Sequence, residues 1–159
     1  MPLIRPVELN DNLALAKTIR AVLIEMGVPK VGTAYADEAL DCMYETYNAA
    51  NKEYFVIEDQ NRLLGGAGIA PLANYEGPVC ELQKMYFLSE IRGKGFGLQM
   101  MQRCLDFAKE AGFKQVYLET MPYMKDAQKL YVKAGFYYID APLGNTGHSA
   151  CPVYMLKDL

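Results

Sequence analysis

Apolar positions along the chain change their spacing several times, and each change marks an element. Leu3 to Glu8 reads as a short first strand. Leu15, Ile19, Val22, Leu23 and Met26 then recur at helical spacing. Asn10 or Asp11 can accept the free N–H groups that open this helix, and Gly27 supplies a left-handed stop. Leu40, Met43, Tyr44 and Tyr47 predict a second helix that starts near Thr33 or Ala34. Glu53 to Glu58 and Arg62 to Leu72 are β-like runs joined by Asp59-Gln60-Asn61, a hairpin signal. Gly65, Gly66 and Gly68 weaken the second run as a lone strand and predict a bulge or a close backbone approach.

Val79 to Leu88 is a third long strand, followed from Arg92 by a glycine-rich turn. The next helix shows Leu98, Met101, Leu105 and Ala108 on one face and ends at Gly112. Gln115 to Met121 is a strand closed by Pro122. Met124 to Ala134 is a helix with Ala127, Leu130, Tyr131 and Ala134 inward and Gly135 as its cap. Phe136 to Ile139 and Val153 to Lys157 complete the series. The order predicts a single α/β domain over residues 1–159, a mixed central sheet of about seven strands flanked by about four helices.

Composition narrows the class. A chain of 159 residues that is 52% hydrophobic and 22% charged can bury a core without disulfides or a structural metal. Its four cysteines are scattered and it has one histidine, so no zinc-ligand spacing is present and no metal is expected. A net charge of −3 gives no basic footprint for nucleic acid. No apolar run reaches the roughly 18 residues of a membrane span, and Met-Pro-Leu-Ile-Arg-Pro carries no signal-peptide core. The expectation is a cytoplasmic protein with free thiols.

The segment from Glu81 to Gly97 carries the chemistry. A strand runs into Arg92-Gly93-Lys94-Gly95-Phe96-Gly97, which opens a helix. Glycines permit a tight turn, the first helical N–H groups lack internal partners, and Arg92 and Lys94 add positive charge. The turn is therefore suited to a pyrophosphate. It is not a P-loop, because Lys94 is followed by glycine, and Leu98 stands where the dinucleotide fingerprint needs its last glycine. The pattern that fits is R-x-x-G-x-G, as Arg92, Gly95 and Gly97.

On this strand-to-helix junction the hexapeptide resembles the signature of the GNAT acetyltransferase superfamily. The stretch Lys129-Leu-Tyr-Val-Lys-Ala-Gly-Phe136 is similar to that family's L-Y-x-K-x-G-F segment, and the order of elements agrees from Leu3 to Lys157. The resemblance implies acetyl-coenzyme A as co-substrate. Its pyrophosphate would lie on Arg92, Gly93, Lys94, Gly95, Phe96, Gly97 and Leu98, and its pantetheine arm on a bulged backbone at Met85, Tyr86 and Phe87. Met124 departs from the family, which often carries an asparagine there; Lys125 beside it could compensate.

The resemblance also implies roles. Tyr131 matches the tyrosine that protonates the departing thiolate. Glu81, eleven residues before Arg92, has the spacing of the glutamate base in histone-acetylating members, with Glu119 as a weaker rival. A backbone N–H at or beside Phe87 would face the carbonyl oxygen. The acceptor is expected to be a primary amine on a small molecule or peptide, set by the unmatched segments Thr33 to Lys52 and Ala141 to Cys151. There, Asp37, Asp41 and Glu45 recur at four-residue spacing with Glu38 beside them, which reads as a solvated helix face and, beside the acceptor, would favour a polyamine or basic residue. His148 reads as a surface residue or a substrate contact, and Cys151 as a minor candidate nucleophile. The apolar tail Val153 to Leu156 permits a homodimer through the last strands. A non-catalytic acyl-CoA sensor with the same fold is the competing reading.

Overall fold

A computed structural model describes residues 1–159. In chain order the elements are β1 (Leu3–Pro6), α1 (Asn12–Glu25), α2 (Met43–Tyr47), β2 (Glu53–Asp59), β3 (Arg62–Pro71), β4 (Val79–Phe87), α3 (Phe96–Glu110), β5 (Gln115–Thr120), α4 (Lys125–Lys133), β6 (Tyr137–Ile139) and β7 (Val153–Asp158). The seven strands form one sheet in the order β1-β2-β3-β4-β5-β7-β6. Every neighbouring pair is antiparallel except β4 with β5. The expected α/β architecture of about seven strands and four helices is the one observed.

Two apolar layers cover the sheet. α3 and α4 pack on one face through Met100, Met101, Cys104, Leu105, Ala108 and Tyr131. On the other lie α1, the segment from Ala34 to Tyr47, and the side chains of Tyr54 and Val56. α1 has no side-chain N-cap bond and no basic residue in its last turn. Its Leu15, Ile19, Val22 and Leu23 are fully buried. Burying each is worth ~1.5–3 kcal/mol, more than the ~1 kcal/mol of a cap, so packing rather than capping holds this helix.

Three expectations need correction. The predicted second helix is broken into two 3-10 turns, Ala34–Ala36 and Glu38–Asp41, and the five-residue α2. Asp37 and Cys42 leave helical geometry between them. Leu40, Met43 and Tyr47 are still buried, but tertiary tethers override the helical repeat. Arg20 grips Asp41, Asn12 bonds Glu45, and Asp37 is drawn to His148. The acidic residues consequently share no stripe. On α3, Leu98 stays partly exposed while Met100 and Cys104 enter the core. Finally, β7 lies between β5 and β6, so Val153 to Leu156 is interior to the sheet and offers no apolar edge to a second copy.

The features that shape the site lie on β4. Its parallel ladder with β5 stops after Val79, Cys80 and Glu81, opposite Gln115, Val116 and Tyr117, and beyond that the two strands part. On the other edge, Gly68 pairs with Gln83 but Gly66 with Tyr86, which leaves one extra residue on β4. This bulge begins at Lys84, whose φ of 50° is left-handed. The sequence placed it at Met85 to Phe87. The β3 glycines explain how it forms. A Cβ on Gly66 or Gly68 would fall 2.4 or 2.5 Å from the Tyr54 ring, which lies across both. From there the Tyr54 hydroxyl donates to the Lys84 carbonyl at 2.7 Å.

Candidate active site

Where β4 and β5 separate, a cleft opens that consists of two joined cavities. The first, about 430 Å³, is lined by Met85, Tyr86, Phe87, Arg92, Gly93, Gly95, Gly97 and Leu98 from the glycine turn and by Tyr131 from α4. Lys94 and Phe96, also expected there, do not line it; Phe96 packs toward the core. Gly95 is the residue before α3 and has a φ of 87°, a conformation that a side chain would strain. Gly97 keeps room for Leu130 of α4, since a Cβ would come within 3.1 Å of it.

Arg92 closes one wall of this cavity. Its Nε donates to the Phe87 carbonyl at 2.8 Å and its Nη1 to Glu25 at 3.1 Å. Its Nη2 is buried without a partner. A buried guanidinium N–H of this kind wants an oxygen acceptor, which suits a phosphate group beside the glycine turn. The Leu88 N–H is spent on Leu64, across β3. By strand alternation the Phe87 N–H points to the opposite edge, the one that faces the cleft.

The second cavity, about 250 Å³, shares Met85, Tyr86, Ala127 and Tyr131 with the first and adds Lys84, Glu119 and Cys151. Tyr131 therefore stands at their junction. It is 7% exposed, and burial alone raises its pKa to about 12, so it keeps its proton at neutral pH. Burial also pushes the Cys151 thiol up to about 11, with Glu119 and Glu81 adding to the rise. A thiol held so far above neutrality is a poor nucleophile.

Glu81 lies behind this cavity and is 4% exposed. Burial raises its pKa, opposed by a hydrogen bond from Gln83 Nε2 at 2.6 Å and by the nearby His148. Gln83 is itself held by the Tyr47 hydroxyl, which donates to its Oε1 at 2.5 Å. Glu119, on β5, does line the cavity. Its two oxygens accept from the hydroxyls of Tyr117, at 2.6 Å, and Thr146. Ligand-capable atoms of Glu81, Glu119 and His148 lie within 4.8 Å of one another.

Lys84 and Gln83 carried no signal in the sequence, because both read as ordinary polar positions of a strand. Lys84 is now the buried cation of the site, with a side chain 6% exposed and Nζ 3.4 Å from Asp37 Oδ2. His148 Nε2 lies 2.8 Å from the same oxygen. The Asp37 bond, opposed by burial, raises the pKa of His148. Burial pushes Asp37 up, but His148 and Lys84 together outweigh it and leave its carboxyl below the usual range. A left-handed non-glycine backbone costs on the order of 1–3 kcal/mol, so the surrounding contacts must hold Lys84 in place.

The profile of the Acetyltransferase (GNAT) family matches residues 22–136. The uncharacterized N-acetyltransferase YjgM of Escherichia coli is 45% identical over 159 residues, which cover 99% of this chain and 95% of that protein. A GNAT-family acetyltransferase from Staphylococcus aureus superposes with a TM-score of 0.88 at 16% identity, covering 100% of this chain and 99% of the other. The PaiA N-acetyltransferase of Thermoplasma acidophilum, solved in complex with coenzyme A, superposes with a TM-score of 0.77 at 17% identity, covering 100% and 99%. By profile and by close relative, this chain belongs to the GNAT family of N-acetyltransferases and is an acyltransferase.

Proposed function

We propose that the chain moves an acetyl group from acetyl-coenzyme A to a primary amine by direct attack on the thioester. One observation carries this reading: Tyr131 borders both the cavity of the glycine turn and the cavity that holds Lys84 and Glu119. A thioester placed at that junction has a phosphate-seeking turn on one side and ionisable groups on the other. The coenzyme A complex of the PaiA relative supports the choice of co-substrate.

Acetyl-coenzyme A supplies the activated carbonyl carbon and a thiolate leaving group. Arg92 Nη2 and the N–H groups before α3 hold the pyrophosphate. The Phe87 N–H faces the carbonyl oxygen as negative charge develops on it. An alkylammonium is neutral in only about one molecule in a thousand at pH 7, so a base is needed. Glu81 takes this proton by way of a water, and its raised pKa brings it nearer the amine's. Nitrogen bonds to the carbonyl carbon, the carbon–sulfur bond breaks, and the Tyr131 hydroxyl gives its proton to the sulfur; the second proton shed by the acylated nitrogen passes through water and restores the phenol. Glu119, fixed by two hydroxyl donors, faces the incoming amine.

The test is release of coenzyme A thiol from acetyl-coenzyme A in the presence of amines. Amine-dependent release with a matching N-acetyl product is expected. Tight binding of acetyl-coenzyme A with no release for any amine would instead favour a sensor.

A further inference from the structure

Lys84 and Glu119 stand on the two strands that part to form the cleft, and both line its acceptor end. We propose that the acceptor is an α-amino acid with an uncharged, apolar side chain, its carboxylate held by Lys84 and its amine by Glu119. The inference rests on the N-acetyltransferase reading above and narrows it to a substrate class.

Burying Lys84 is costly. An ammonium is buried to 6% exposure on a residue in left-handed backbone, in a bulge that Tyr54 fixes by its carbonyl. Its ion-pair partner is shared. Asp37 Oδ2 is 3.4 Å from Lys84 but 2.8 Å from His148, so one carboxylate oxygen answers two basic groups. A lysine carries three N–H donors, and this single long contact leaves donors for an oxygen in the cavity. On the β4 side Lys84 and His148 thus stand against the carboxyls of Asp37 and Glu81, with Lys84 Nζ the one of the two basic groups whose residue lines the cavity.

The β5 side is its complement. Tyr117 and Thr146 donate to the two oxygens of Glu119 and fix its carboxylate toward the same space. A cation and an anion across one mouth match a zwitterion whose two charged groups are a few ångströms apart. They do not match a polyamine, whose second ammonium would meet Lys84. Apart from Lys125 and Asp126 at the start of α4, the rest of the wall is mostly apolar, with Met26, Val28, Met121, Tyr123 and Met124, and suits an uncharged side chain as the third group to be accommodated.

Matched pairs test this in the full chain. Thiol release is measured with L-leucine against isoamylamine, L-phenylalanine against phenethylamine, and L-methionine against its decarboxylated amine. A kcat/KM at least 100-fold higher for the amino acid in each pair is expected. Lys84→Met should raise the KM for the amino acid 10-fold or more and narrow each pair to within threefold, while Lys84→Arg recovers part of the difference. Equal use of the decarboxylated amines, or preference for glutamate or lysine, overturns the assignment. If Lys84→Met does not fold, the matched pairs on the unaltered chain still decide. Release with spermidine or a peptide amine only would overturn the amino-acid assignment while keeping the N-acetyltransferase reading; absence of release with every acceptor would overturn both.

Discussion

His148 Nε2 sits 2.8 Å from Asp37 Oδ2, joining two irregular segments 111 residues apart in sequence. The bond raises the pKa of His148 above its ordinary value near 6.5. A group whose folded pKa is raised contributes stability that is fully present below the unfolded pKa and lost as pH rises through the folded one. Asp37 has the opposite sign: its pKa is lowered, so its contribution is lost only as the medium becomes acidic. A melting series from pH 6 to pH 9 should therefore show a fall in Tm that His148→Gln lacks. A chain of this size moves roughly 2–4 °C per kcal/mol, which makes the difference measurable. Parallel melting curves for the two proteins would remove His148 from this account.

Tyr131→Phe should lower turnover ten-fold or more, about 1.4 kcal/mol in the barrier, with acetyl-coenzyme A affinity kept. Steady-state kinetics beside a calorimetric titration separates the two quantities. With its pKa raised to about 12, the wild-type hydroxyl holds its proton across the working range, so no alkaline limb from this group is expected below about pH 10. Unchanged turnover would take Tyr131 out of the mechanism.

Gln83→Leu tests the support of Glu81. The amide bond from Gln83 favours the charged carboxylate and offsets part of the rise due to burial. Without it the Glu81 pKa climbs further, and the acid limb of the pH profile of kcat/KM should move to higher pH. The Tyr47 hydroxyl also loses its acceptor, so stability should drop by ~1–3 kcal/mol. A lower Tm with an unmoved acid limb would mean that Gln83 serves packing alone.

Arg92→Met should raise the Kd for acetyl-coenzyme A ten-fold or more, again about 1.4 kcal/mol, while kcat at saturation stays within about threefold. Arg92→Lys should not restore it, because a point ammonium cannot reach the Phe87 carbonyl and a phosphate oxygen together as the guanidinium fork can. Unaltered affinity in Arg92→Met would place the pyrophosphate elsewhere.

Much of the frame was legible in the sequence because its signals are local. β2 and β3 are marked by apolar runs, and Gln60 and Asn61, both at positive φ, make the tight turn between them. The glycine turn from Arg92 to Gly97 and the place of Tyr131 on α4 rest on short contiguous motifs. What was missed is non-local. Lys84 looks like any polar strand residue until Gly66 and Gly68 on β3 admit Tyr54 and the bulge forms. His148 lies in a loop without hydrophobic period and Asp37 in a segment whose helical repeat is overridden, so side-chain pairing rather than backbone propensity sets the path. The four-residue acidic spacing from Asp37 to Glu45 misled for the same reason: three separate tethers turned those carboxylates in different directions.

The early parting of β4 from β5 has a consequence for the lifetime of the protein. With only three residue pairs joining them, the sheet is two half-sheets stitched along a short seam. On the proposed reading, a molecule lying in the gap would bond both banks and supply the rungs that the ladder omits. At a hundred times its Kd such a molecule adds ~2.7 kcal/mol to stability. Proteolytic resistance would then rise with the concentration of that molecule, and the seam would be the first place to loosen without it.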